Sequence, residues 1–79
     1  MQQTDNYKIL ARLAEEDINI FNAHHEGGQL VIEYEYGWQP TQYKTKWTKA
    51  IYMVDYPIEL GTALRHILAE VQAIRGELR

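Results

Sequence analysis

The sequence predicts an α+β domain of the order α-β-β-β-α, with a three-stranded antiparallel meander and two helices packed on one face of the sheet. Apolar residues recur at helical spacing near both ends of the chain, which indicates two amphipathic helices. Between them, residues 30–38 alternate with a period of two, which indicates a strand with one buried face. All 79 residues are expected to form a single small globular domain, since the chain is too short for two.

The first helix is expected to be capped by Thr4 or Asp5 and to end near Asp17. An acidic run, Glu15-Glu16-Asp17, supports that end because negative charge is disfavoured at a helix C-terminus. The apolar side of this helix is predicted to comprise Tyr7, Leu10, Leu13 and Ala14.

Residues 18–25 are compatible with two structures. Their β-branched and aromatic residues favour a strand, whereas the apolar spacing also continues the first helix face, with Gly27 or Gly28 as its C-cap. The two asparagines and the acidic run weigh against the longer helix, so we predict a strand. Glu26-Gly27-Gly28-Gln29 then forms a tight hairpin turn, because both glycines can adopt the positive φ of a type I′ turn.

The second hairpin is predicted with a loop over residues 37–42, where Pro40 forbids a continuous ladder. Pairing Tyr36 with Tyr43 places opposite charges together on one face and apolar groups together on the other. A slip of one residue would scramble both faces. The predicted cross-strand pairs are Glu35 with Lys44, Glu33 with Lys46, Tyr34 with Thr45, and Ile32 with Trp47.

The last helix is expected to open at Asp55-Tyr56-Pro57, with proline in its first turn. Its apolar stripe consists of Leu60, Leu64, Ile67, Val71, Ile74 and Leu78. A helix of this length exceeds the length of the predicted sheet, so the end of the stripe, Val71, Ile74 and Leu78, is a candidate surface for self-association into a homodimer or a larger structural assembly. Packing inside the chain is the preferred alternative.

Composition narrows the class of protein. Hydrophobic residues make up 46% of the chain and charged residues 24%, with a net charge of −3, and this composition is ordinary for a globular domain. The chain has no cysteine, no apolar run long enough for a membrane span and no leader-like N-terminus, so a cytoplasmic location is expected. The acidity lies in residues 1–26, and the overall pattern is not that of a basic nucleic-acid-binding domain.

No arrangement of residues predicts catalysis, a metal or a cofactor. His24 and His25 are strand neighbours that point to opposite faces, and with His66, Glu26 and Asp17 they lack the spacing of a metal site. Glu33 and Glu35 share a strand face, but as exposed, lysine-paired carboxylates they lack the apolar wall that tunes an acid–base pair. With no cysteine or serine, the chain also lacks the usual nucleophiles. We therefore predict a protein that is not an enzyme.

An aromatic and lysine-rich strip runs along the second hairpin, with the aromatic residues Tyr34, Tyr36, Trp38, Tyr43 and Trp47 beside Lys44, Lys46 and Lys49. Such strips bind single-stranded nucleic acids in some sheets, although core packing under the helices explains this one equally well. The residues at the loop end, Tyr36, Trp38 and Tyr43, are those most expected to stay exposed.

In size, acidity and lack of cysteine the chain resembles small inhibitors carried by bacteriophages, such as anti-CRISPR proteins. That resemblance implies a module that binds and occludes a larger host protein or complex, including nucleic-acid-binding ones, and it transfers no functional residue. Acidic patches can engage the basic channel of such a target. The predicted partner-binding residues are Tyr36, Trp38, Gln39, Tyr43, Glu15, Glu16 and Asp17. The alternatives are a single-stranded nucleic-acid binder, disfavoured because glutamates pair with its lysines, and a homo-oligomer built on the last helix.

Overall fold

A computed structural model describes residues 2–77, with side chains described for residues 6–77. The order of elements is α1 (Gln2–Glu15), β1 (Ile18–Glu26), β2 (Gln29–Thr41), β3 (Lys44–Val54) and α2 (Leu60–Glu77). The strands form one antiparallel sheet in the order β1-β2-β3. The predicted α-β-β-β-α fold with both helices on one face of a meander is confirmed.

The first hairpin follows the sequence closely. Residues 18–26 form a strand, and Gly27 and Gly28 have φ angles of 57° and 82°, as a type I′ turn requires. The β1–β2 ladder is regular except for a bulge between Ile20 and Asn22, which leaves Phe21 without a partner.

The predicted register of the second hairpin is wrong. Glu35 lies opposite Lys49 rather than Lys44, Glu33 lies opposite Ile51 rather than Lys46, and the turn is the short Gln42-Tyr43. Pro40 lies within an irregularity between Trp38 and Thr41, where the ladder is interrupted.

The observed register pairs a longer stretch of β3 with β2 than the predicted register does, and this is a physical reason for it. The predicted register would have carried residues 51–54 past the start of β2, whereas the observed one places them opposite residues 30–33. Burying Tyr52 in this way contributes more than surface ion pairs, which are worth about 0–1 kcal/mol each. The shift of an odd number of residues exchanges the two faces of β3, so Trp47, expected beneath the helices, lies on the opposite face.

The core lies between the helices and one face of the sheet. α1 contributes Ile9 and Leu13, whereas Tyr7 and Leu10, expected on its apolar side, are exposed. Both helices also begin at residues other than those expected: α1 starts at Gln2, before Thr4 and Asp5, and α2 starts at Leu60, three residues after Pro57. The buried cluster consists of Ile9, Leu13, Ile18, Leu30, Ile32, Tyr34, Tyr36, Tyr52, Ala63, Leu64, Ile67 and Val71.

The corner after α1 is held to the sheet by backbone and side-chain bonds. Asp17 adopts a left-handed φ of 58°, a conformation that aspartate tolerates, and its carbonyl accepts a 2.9 Å bond from the Gly37 N–H. The Arg75 guanidinium from α2 donates to the carbonyls of Glu16 and Gly37. One side chain of α2 thereby joins β2 to the residue that follows α1, and the end of α1 lies near Asp17 as predicted.

Candidate functional site

The face of the sheet that points away from the helices carries an exposed apolar surface. Four large side chains form it, and we call them the outer patch: Phe21, Trp47, Ile51 and Met53, which are 55%, 47%, 62% and 58% exposed. Single exposed apolar residues are ordinary, but four on one sheet face of a small domain are typical of an interaction site.

The outer patch is a product of strand pairing. Trp47, Ile51 and Met53 are alternate residues of β3, so they point to the same side of the sheet. Trp47 lies opposite Gly37, where an added Cβ would come within 3.3 Å of the indole ring. A side chain at residue 37 would therefore push the indole away, and glycine allows the ring to lie close to the strand.

Phe21 joins the patch from the other edge of the sheet. Its ring lies 5.8 Å from the Nζ atom of Lys49, although β2 separates their strands. Phe21, Glu33, Lys49 and Ile51 line a concavity of about 450 Å³ on this face. The patch therefore spans all three strands.

Two carboxylates lie on the central strand of this face. Glu35 accepts a 3.0 Å hydrogen bond from the Asn19 side-chain amide, and Glu33 accepts a 3.4 Å bond from that of Asn22. Within the part of the chain that the structure describes, neither forms a salt bridge. Because a carboxylate accepts several hydrogen bonds, each retains capacity for donors of a bound molecule.

The residues predicted at the loop end have different environments. Tyr36 is buried beneath the helices, so the expectation that it stays exposed is wrong. Trp38 is half-buried and its indole N–H donates a 3.0 Å bond to the Thr48 hydroxyl, whereas Gln39 is exposed. Tyr43 lies in the β2–β3 turn and is 88% exposed. Among Tyr36, Trp38 and Tyr43, the ring of Tyr43 alone is largely exposed to solvent.

The predicted acidic residues lie at the same end of the molecule, because Asp17 is bonded to Gly37 next to Trp38. Glu15 and Asp17 are exposed. Glu16 is half-buried, and its carboxylate lies 3.4 Å from Arg12 Nε and 3.6 Å from Arg75 Nη1. Its charge is thus partly balanced within the chain.

The proposed self-association stripe on α2 is only partly available. Val71 is fully buried in the core, which removes it from any such surface, and Ile74 is half-buried against the same core. Leu78 lies outside the described residues. Intrachain packing accounts for this part of α2 because Val71 joins the cluster that contains Ile32 and Leu13.

Two tyrosines of the sheet, Tyr34 and Tyr52, have raised pKa values. Burial, and then the charge of Glu70, raises the pKa of Tyr34 to about 12. Burial, then nearby Tyr56 and then Glu70 raise the pKa of Tyr52, whose hydroxyl lies 2.8 Å from His66 Nδ1. A phenol that acts as a base or nucleophile needs a lowered pKa, and both of these are raised. Tyr52 thus links the sheet to α2 through His66, and Tyr34 packs in the core.

We expect the stability of the fold to decline in alkali in part through Tyr34. An unfolded tyrosine ionises near pH 10 and the folded one near pH 12, so this contribution is complete below pH 10 and is lost as the pH rises to 12. Replacing Tyr34 by phenylalanine is expected to remove about 2 kcal/mol of the alkaline decline measured by urea unfolding. An unchanged pH dependence in Tyr34→Phe would contradict this assignment.

Among the described residues, His24 lies beside one acidic residue, Glu26, and this pair is not part of a larger cluster of metal ligands. His24 Nδ1 lies 3.0 Å from the Asn22 amide and its Nε2 lies 3.9 Å from Glu26. Across the described residues, no group of three or more histidine, cysteine, aspartate or glutamate side chains is arranged to hold a metal ion.

Sequence reasoning missed Phe21, Ile51 and Met53 as surface residues. Alternation within β3 is a signal for two of them, because Trp47, Lys49, Ile51 and Met53 share one face. The bulge that frees Phe21 has no comparable signal.

No described helix is long and apolar enough to cross a membrane. In the comparisons with known proteins, no protein-family model, no curated protein and no solved structure matches this chain.

Proposed function

We propose that this chain is a cytoplasmic, non-enzymatic protein-binding module that occludes a larger partner, and that the outer patch is its main contact. The observation that carries the proposal is the exposure of four large apolar side chains on the sheet face opposite the two described helices. Burying such side chains against a partner contributes about 25 cal/mol for each Å² of apolar surface removed from water.

The charges of this face support a protein partner with basic side chains. Glu33 and Glu35 lie in the middle of the apolar surface and accept hydrogen bonds only from amide groups among the described residues. An arginine from a partner could pair with one of these carboxylates while its aliphatic part packs on Phe21 or Ile51, and buried arginines are frequent interface hot spots. The exposed Glu15 and Asp17 add negative charge beyond the patch.

The lack of cysteine supports a reducing compartment, and the small acidic character supports an inhibitor that occludes a larger protein or complex. The loop end remains a second contact region, with Tyr43 as its most exposed residue.

Replacing Phe21 by aspartate is expected to weaken partner binding by about tenfold or more, because a charge would enter the apolar contact. The experiment is affinity capture from the lysate of the native host with the wild-type chain, followed by titration of the recovered protein. Phe21 is suited to the test because it lies in a bulge and its ring is half exposed.

The matched control is Tyr7→Asp, since Tyr7 is 75% exposed on α1 at the opposite side of the molecule. It is expected to retain binding. Equal binding by the wild type and Phe21→Asp would show that the partner does not use this face.

A second candidate function is single-stranded nucleic-acid binding on the same face, favoured by the exposed rings of Phe21 and Trp47 beside Lys49. The two central glutamates oppose it. Fluorescence anisotropy with a labelled single-stranded oligonucleotide would show binding that falls steeply with salt if this function holds, and no binding at low salt if it does not.

A further inference from the structure

The two edges of the sheet differ in how well they are protected against another strand. β1 carries the bulge at Phe21 and polar residues along most of its length. Bulges and polar side chains are the usual means by which an edge strand is prevented from pairing. The β1 edge is therefore poorly suited to receive another strand.

β3 has none of this protection over residues 50–54. It is the other edge strand, its pairing with β2 is regular from Leu30–Val54 to Trp38–Lys46, and the segment Ala50-Ile51-Tyr52-Met53-Val54 has no charge and no proline. Ile51 and Met53 are also more than half exposed. An unprotected apolar edge of this kind is a site for strand addition.

The segment is complementary to itself in the antiparallel direction. Around Tyr52, Ile51 and Met53 lie one residue to either side, while Lys49 and Asp55 lie three residues to either side. A two-fold axis through Tyr52 would place Ile51 opposite Met53 of a second copy and Lys49 opposite Asp55, and each of these pairs occurs twice. By strand alternation, Lys49, Ile51 and Met53 lie on the outer face, and Asp55 follows directly after β3 ends at Val54.

The charges are free to make these pairs. In the described part of the chain, neither Lys49 nor Asp55 forms a salt bridge, and both are exposed. A dimer in which two outer patches stack face to face is less favourable. A central two-fold axis between the stacked sheets, whether along the strands or across them, brings the two β2 strands together. Glu33 and Glu35 of both copies would then lie close to one another, and like charges repel.

We propose that two copies of this chain pair β3 with β3 in the antiparallel direction around Tyr52, which joins two sheets into one of six strands. This pairing leaves the outer face open, so the two outer patches become adjacent without being covered. The occupant of the β3 edge is thus a second copy of the chain.

A charge exchange tests this register. The wild type is expected to dimerise in sedimentation equilibrium between about 10 μM and about 1 mM protein. Lys49→Glu and Asp55→Lys each create two like-charge pairs, so each single variant is expected to weaken the dimer by about tenfold. The double variant restores opposite charges and is expected to recover wild-type dimerisation. Circular dichroism establishes that each variant is folded.

Cysteine cross-linking provides a second readout, because the chain has no cysteine of its own. Mixing Ile51→Cys with Met53→Cys under oxidising conditions is expected to give more disulfide-linked dimer than either variant alone, since these positions face one another across the axis. Phe21→Cys, on the other edge, is the control and is expected not to cross-link.

A wild-type chain that stays monomeric throughout this concentration range would overturn the proposal, as would a double charge variant no better than the single ones. Phe21→Asp leaves the β3 edge intact and should dimerise normally. Loss of partner binding can therefore be distinguished from loss of the dimer.

Discussion

Replacing Ile67 by alanine is expected to lower the free energy of unfolding by about 3 kcal/mol. Ile67 has no exposed surface and lies on the face of α2 that packs in the core cluster with Leu13 and Ile32. The substitution removes apolar contacts and leaves a cavity that the surrounding side chains fill only in part. A domain of this size has a total stability of about 4–12 kcal/mol, so the loss is a large fraction of the whole.

The measurement is urea unfolding followed by circular dichroism, at protein concentrations below those at which dimers form. Ile51→Ala is a matched control, because the same atoms are removed from a side chain that is 62% exposed. Its stability is expected to change by less than about 0.5 kcal/mol. Equal losses at the two positions would show that α2 does not cover the core as described.

Replacing Arg75 by alanine is expected to lower the free energy of unfolding by about 2 kcal/mol. The Arg75 guanidinium donates to the carbonyls of Gly37 and Glu16 and lies 3.6 Å from the Glu16 carboxylate. Its removal leaves part-buried acceptors without a protein donor, and an unsatisfied buried group costs more than an average hydrogen bond contributes.

Arg65→Ala is the control for this prediction, because Arg65 lies on the same helix and is exposed. It should change stability by less than about 0.5 kcal/mol. Arg75→Lys is expected to recover only part of the loss, since an ammonium group lacks the planar fork that reaches two carbonyls. Hydrogen exchange of the Gly37 amide, bonded to Asp17, gives a local readout, and unchanged protection in Arg75→Ala would argue against this role.

The elements that sequence reasoning predicted well are those determined by local chemistry. The paired glycines at residues 27 and 28 both have positive φ, and β2 buries Ile32 and Tyr34 while its glutamates face away from the helices. The acidic run Glu15-Glu16-Asp17, which is unfavourable at a helix C-terminus, correctly predicted that α1 ends near Asp17. Each of these features depends on residues close together in the chain.

The candidate site was predicted much less well. The expectation that Tyr36 stays exposed treated the loop end as a separate surface, but the sheet continues through Trp38 and keeps Tyr36 beneath the helices. The expectation that Val71 lies beyond the end of the sheet assumed strands shorter than those observed. β2 and β3 are long enough to support α2 further along its length.

By itself, the sequence determined the order of the elements, the first turn and the buried face of β2. It did not determine which face of β3 is buried, because both of its alternating sets contain apolar residues: Trp47, Ile51 and Met53 in one, Ala50, Tyr52 and Val54 in the other. A period of two shows which side chains share a face but not which face meets the helices. Tertiary pairing decided this by aligning Tyr52 with Ile32, and that choice exposes the outer patch and the β3 edge on which both proposals depend.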